Sequence, residues 1–83
     1  MNETQRFLQE QMKKAEHSIQ ILEEGREKIY EYIVENGLDE ACFEEKLIML
    51  NQSIDRLKDQ YKQLGDLAEQ AANTMSNLVS KLE

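Results

Sequence analysis

Apolar residues along this chain fall into two runs whose steps alternate between four and three. The first run is Leu8, Met12, Ala15, Ile19, Leu22, Arg26, Ile29 and Ile33. It is a seam of the coiled-coil kind, with a charge at one position. The second run begins at Phe43 and continues through Leu47, Leu50, Ile54, Leu57, Tyr61, Leu64, Ala68, Ala71, Met75, Leu78 and Leu82. The first run predicts a helix over about residues 3–35, capped by Asn2 or Thr4. The second predicts a helix over about residues 40–64 or longer. Between them, Asn36-Gly37-Leu38-Asp39 reads as a turn. Gly37 takes the left-handed conformation at little cost, Leu38 folds back onto the last turn, and Asp39 caps the next helix with Glu40 beside it. So short a connection makes the helices antiparallel neighbours. The expected fold is all-α: one antiparallel, coiled-coil-like two-helix hairpin. Folding at residues 37–38 sets Arg26 opposite Leu50, Ile29 opposite Leu47, Met12 opposite Leu64 and Leu8 opposite Ala68.

The matched seams run out near residue 72, because the first helix begins near residue 3. Two readings of the overhang stand, and so do monomer and homodimer. Fraying is the one expected, favoured by Gly65 and the polar stretch from Gln70 to Asn77. The other is pairing with a second molecule through Met75, Leu78, Val79 and Leu82, which would help a hairpin that buries little core. Tyr30, Val34, Leu38, Cys42 and Ile48 lie near the turn but off the seam. They are expected to close that end of the hairpin, with some left as a docking patch. At Arg26, either the stem packs while the guanidinium reaches a carboxylate, or the charge marks register or serves the functional end. Gly25 beside it reads as tolerated rather than strained.

Composition narrows the function classes. The chain has 83 residues, no proline, no tryptophan and three glycines; 33% of its residues are charged and 40% are hydrophobic. It is too short to enclose a deep substrate pocket, so a self-contained metabolic enzyme is not expected. Any chemistry falls on a partner that brings its own site. A net charge of −7 leaves no positive footprint for nucleic acid and disfavours anionic membranes. The lone Cys42 forms no internal disulfide, which suits a reducing compartment. No apolar run follows Met1-Asn2-Glu3-Thr4-Gln5, and no stretch reaches the length of a membrane span. A cytoplasmic protein is expected.

The usual chemical constellations do not occur. His17 stands alone on a polar position and reads as a surface residue. Cys42 has no histidine partner in sequence and reads as a small packing residue. There is no glycine-rich phosphate loop. The carboxylate pairs Glu23-Glu24 and Glu44-Glu45 lack an enclosing pocket that would tune them for acid–base work.

The stretch with most content is Leu47-Ile48-Met49-Leu50-Asn51-Gln52-Ser53-Ile54-Asp55-Arg56-Leu57. Leu47, Leu50, Ile54 and Leu57 form its apolar face, while Asn51, Gln52, Asp55 and Arg56 are expected to stand off that face. Together with Leu22, Arg26, Gly37-Leu38 and Tyr61, this stretch resembles the stage-zero sporulation protein E family, small aspartyl-phosphate phosphatases of spore-forming bacteria. The resemblance covers roughly residues 19–64. In the family, an aliphatic residue and an arginine on helix one precede a glycine-containing turn and Ser-Gln-Glu-Leu-Asp on helix two. Asn51 here stands for the Ser, Gln52 for the Gln, Ser53 for the Glu, Ile54 for the Leu and Asp55 for the Asp. Asn51 keeps a hydrogen-bonding group without the hydroxyl, and Ser53 lacks the carboxylate.

The resemblance implies a hairpin that docks on a phosphorylated response regulator, the master regulator of entry into sporulation, and delays sporulation. The regulator supplies the phosphoaspartate and the Mg²⁺; this chain binds no cofactor. Gln52 and Asp55 are the implied catalytic pair. Gln52 orients the water, and Asp55 orients it, deprotonates it or fixes the interface. Asn51, Arg26, Arg56, Lys58 and Lys62 are the implied substrate-binding residues. The last three either complement the acidic mouth of a receiver domain or pair with acidic neighbours on this chain, and Asp55 itself can pair with Lys58 or Lys62. The alternative function is a non-enzymatic coiled-coil interaction module, an adaptor or small chaperone.

Overall fold

The computed structural model describes residues 2–82, and of Leu82 only the backbone. Helix α1 spans Glu3–Glu35 and helix α2 spans Glu44–Leu82, with a 3₁₀ helix, Glu40–Phe43, leading into α2. The chain is an antiparallel helical hairpin whose Cα atoms extend over 68 × 16 × 12 Å. There is no strand among the described residues.

Local chemistry accounts for each boundary. Asn2, rather than Thr4, caps α1. Its Oδ1 accepts from the Gln5 backbone N–H at 2.8 Å, and the Asn2 backbone N–H donates to Gln5 Oε1 at 3.1 Å. This reciprocal capping box satisfies two N–H groups that the first turn leaves open. At the other end Gly37 has φ +60, the only positive φ among the described residues. The Leu38 N–H then reaches the Ile33 carbonyl at 2.9 Å and the Gly37 N–H reaches the Val34 carbonyl at 3.2 Å. Those two bonds are the Schellman closure. Asp39 Oδ1 accepts from the Ala41 N–H at 3.0 Å and opens the 3₁₀ turn.

The core is thin. Leu8, Ala15, Ile33, Leu47 and Ile54 are buried, and only Ile54, at 1% exposure, is fully enclosed. All five lie on the two predicted seams. Arg26 reaches Asn51, and Met12 Cε lies 3.6 Å from where a Cβ on Gly65 would sit, each beside the residue that a fold at residues 37–38 sets opposite it.

Two expectations are corrected. The residues near the turn do not close the end of the hairpin: Tyr30, Val34, Leu38, Cys42 and Ile48 are all exposed. The stretch after Gly65 does not fray but continues as helix to Leu82. Gly65 is half-buried against α1, with Met12 Cε 3.6 Å from where a Cβ would sit, and the residues that follow include good helix formers such as Ala71, Ala72, Met75 and Leu78. Glu83 lies outside the described residues, as does the side chain of the seam residue Leu82.

Candidate functional site

The residues singled out from sequence sit on the first half of α2 and the facing part of α1. Helical twist, about 100° per residue, fans them around α2. Asn51 and Lys58 border the groove between the helices. Asp55 and Lys62 come next, and Gln52 and Arg56 lie furthest round towards solvent. Asp55, Gln52, Arg56, Lys58 and Lys62 are exposed, whereas Arg26 and Asn51 are half-buried.

Arg26 and Asn51 form the centre of the arrangement. Arg26 Nη1 donates to Asn51 Oδ1 at 2.8 Å, across the helix interface. This corrects two expectations. The guanidinium reaches an amide oxygen, not a carboxylate, and Asn51 does not stand off the apolar face. It turns inward and ties α2 to α1. A charged donor with a neutral acceptor can lie half-buried here because each meets part of the other's hydrogen-bonding demand.

One turn along, Lys58 Nζ lies 3.4 Å from Glu23 Oε1, also across the interface. It is the only ion pair among the described residues. Lys58 is therefore paired with α1 and not with Asp55. Among the described residues Asp55, Arg56 and Lys62 make no ion pair. The Asp55 carboxylate stands on a rigid helix, exposed, with Gln52 one turn before it.

Two shallow depressions flank the Arg26–Asn51 bond. Towards the turn, Tyr30, Ala41, Leu47, Ile48 and Asn51 line a groove together with the carboxylates of Glu40 and Glu44. On the α1 side, Gln20, Glu23, Glu24, Arg26 and Glu27 line an acidic one. Reading the sequence passed over Glu23 as a partner for Lys58. Glu23 lies about one turn along α1 from the residue opposite Lys58, within the reach of a lysine side chain. Cys42 and His17 are both exposed. Among the described residues no group of three or more His, Cys, Asp or Glu is placed to hold a metal ion, and no helix is long and apolar enough to cross a membrane.

Chemically, the surface offers a water-accessible carboxylate beside a carboxamide, two cations nearby that make no ion pair among the described residues, and a groove of mixed apolar and acidic lining one to two turns away. The depressions are open to solvent and shallow. Comparison with known proteins finds no matching family model, no matching curated protein and no matching solved structure.

Proposed function

We propose that this hairpin is a protein aspartyl-phosphate phosphatase that acts on a phosphorylated response regulator, the sporulation master regulator, and so restrains entry into sporulation in the cytoplasm. The observation that carries the reading is the exposed, unpaired Asp55 with Gln52 one turn before it, in a stretch that resembles the family motif. The phosphoryl group and its Mg²⁺ stay on the regulator. Phosphoryl transfer depends mainly on positioning and charge, so a side chain supplied by a partner suffices. The Gln52 carboxamide orients a water in line with the scissile P–O bond, and Asp55 accepts hydrogen from that water. The water oxygen bonds to phosphorus as the P–O bond to the aspartyl carboxylate breaks, leaving carboxylate and inorganic phosphate. Arg56 and Lys62 meet the acidic mouth of the receiver, while the acidic surface of Glu23, Glu24 and Glu27 directs the approach to the α2 side.

The test is phosphate release from a phosphorylated sporulation response regulator. Wild-type protein is expected to accelerate it. Asp55→Ala is expected to lower that acceleration by about tenfold or more, with unchanged helicity, and Gln52→Ala to lower it as well. Equal activity of wild type and Asp55→Ala removes the site assignment. No acceleration of any phosphorylated regulator makes the chain a non-enzymatic interaction module.

A further inference from the structure

The two long sides of the hairpin differ. Both polar bridges between α1 and α2 among the described residues, Arg26–Asn51 and Lys58–Glu23, close one side. Among the described residues no such bridge closes the other. There the residues next to the seam are short. Ser18, Gly25 and Ser53 are half-buried, and a Cβ built on Gly25 meets nothing within 4 Å. Further from the turn a groove opens on this side over Ala15, Leu57, Leu64 and Leu67. Lys14, Ser18 and glutamines surround it, and none of its lining residues is acidic.

Helical period extends this open side along both helices. On α1 it takes every third or fourth residue from Phe7 through Lys14, Ile21 and Lys28 to Tyr32. On α2 it runs in the same steps from Lys46 through Met49 and Arg56 to Leu67. No Asp or Glu falls at any position of either series, in a chain with 17 acidic residues and a net charge of −7. Lys14, Lys28, Lys46 and Arg56 are exposed and make no ion pair among the described residues. Between them Phe7, Ile21, Tyr32, Met49 and Leu67 are each at least half exposed. The carboxylates lie beyond this strip on the outer backs of the helices: Glu10, Glu24 and Glu31 on α1, Glu45, Asp59 and Asp66 on α2.

We infer that the open side of the hairpin is a docking groove for an acidic amphipathic helix of another protein, laid along it as a third helix. The apolar stripe of that helix meets Ile21, Met49 and the groove over Leu57 and Leu64. Its flanking carboxylates meet Lys14, Lys28, Lys46 and Arg56. A helix is the form that fits. Two packed helices offer no open backbone edge for a strand to join, and their groove takes apolar anchors at helical spacing. A helix is also about 10–12 Å wide, so it lies between the two acidic backs without reaching them. A broad anionic surface, such as a membrane, instead meets those carboxylates with its own negative charge.

Fluorescence anisotropy of the full chain with two labelled synthetic helical peptides, each of about three heptads, tests the inference. Both peptides carry leucine along one stripe; one has glutamate beside the stripe and the other lysine. The glutamate peptide is expected to bind at least about tenfold more tightly, although the net charge of the chain alone favours the reverse order, and to dissociate as salt rises. Lys28→Glu with Lys46→Glu is expected to weaken its binding at least about tenfold while helical circular dichroism is kept. Arg6→Glu with Lys13→Glu changes the net charge equally on the bridged side, and is expected to change binding less than about twofold. In amide NMR spectra the Gly25 signal is expected to shift on titration with the glutamate peptide. Gly65, on the bridged side two heptads from Asn51, is expected to keep its position. No binding of the glutamate peptide up to millimolar concentration, a preference for the lysine peptide, or equal losses in the two double variants overturns the inference. Capture of the chain on phosphatidylserine vesicles in place of the peptide overturns it too, and gives the strip to a membrane. None of these substitutions touches a residue of the candidate site, so the binding stands or falls apart from the phosphatase reading.

Discussion

The bond from Arg26 to Asn51 explains how a charge is tolerated in an apolar seam. Arg26 is half-buried, and its head finds an acceptor one residue away from the seam on α2. Removing the acceptor with Asn51→Ala is expected to cost about 1 kcal/mol in urea unfolding, because a half-buried guanidinium is left to water on one side only. A double-mutant cycle between Arg26 and Asn51 is expected to return coupling of about the same size. Asp55→Ala, by contrast, is expected to change stability by less than about 0.5 kcal/mol, since that carboxylate has no partner among the described residues. Residues on one helical stripe thus divide by environment: Asn51 ties α2 to α1, and Asp55 stands exposed. Heptad counting could not separate them. It places Asn51 just outside the seam, where burial depends on whether the opposite helix carries a side chain long enough to reach it.

At the scale of elements, the two seams and the Gly37 turn were legible because period and φ preference are local properties. The 3₁₀ turn at Glu40–Phe43 was not, because it leaves no mark in the spacing of apolar residues. The continuation of α2 past Gly65 stood open beside fraying. Glycine lowers helix propensity, but here it lies packed beside Met12 and ends nothing. The glycines make contrasting predictions. Gly37→Ala is expected to destabilise by about 1–2 kcal/mol, because alanine resists a positive φ. A Cβ added at Gly25 meets nothing within 4 Å, so Gly25→Ala is expected to stabilise by up to about 1 kcal/mol. Thermal melts of the two variants, followed by circular dichroism, read both signs.

For the whole molecule the controlling fact is how little is buried. Five of the described residues make the core, and among the described residues no buried side-chain polar atom lacks a partner. Stability therefore rests on a few apolar contacts. Ile54→Ala, at the most enclosed position, is expected to cost about 2–4 kcal/mol, a large part of what a chain this size holds. Partial loss of helicity at room temperature is the expected readout. Ile54 lies between Gln52 and Asp55, so the candidate site shares its turn of helix with the centre of the core, and the exposed pair inherits its rigidity from that buried neighbour.

Because α2 runs unbroken from Glu44 to Leu82, it is also a ruler. At about 1.5 Å per residue, Asp55 and Leu78 stand about 35 Å apart, at a fixed angle around one axis.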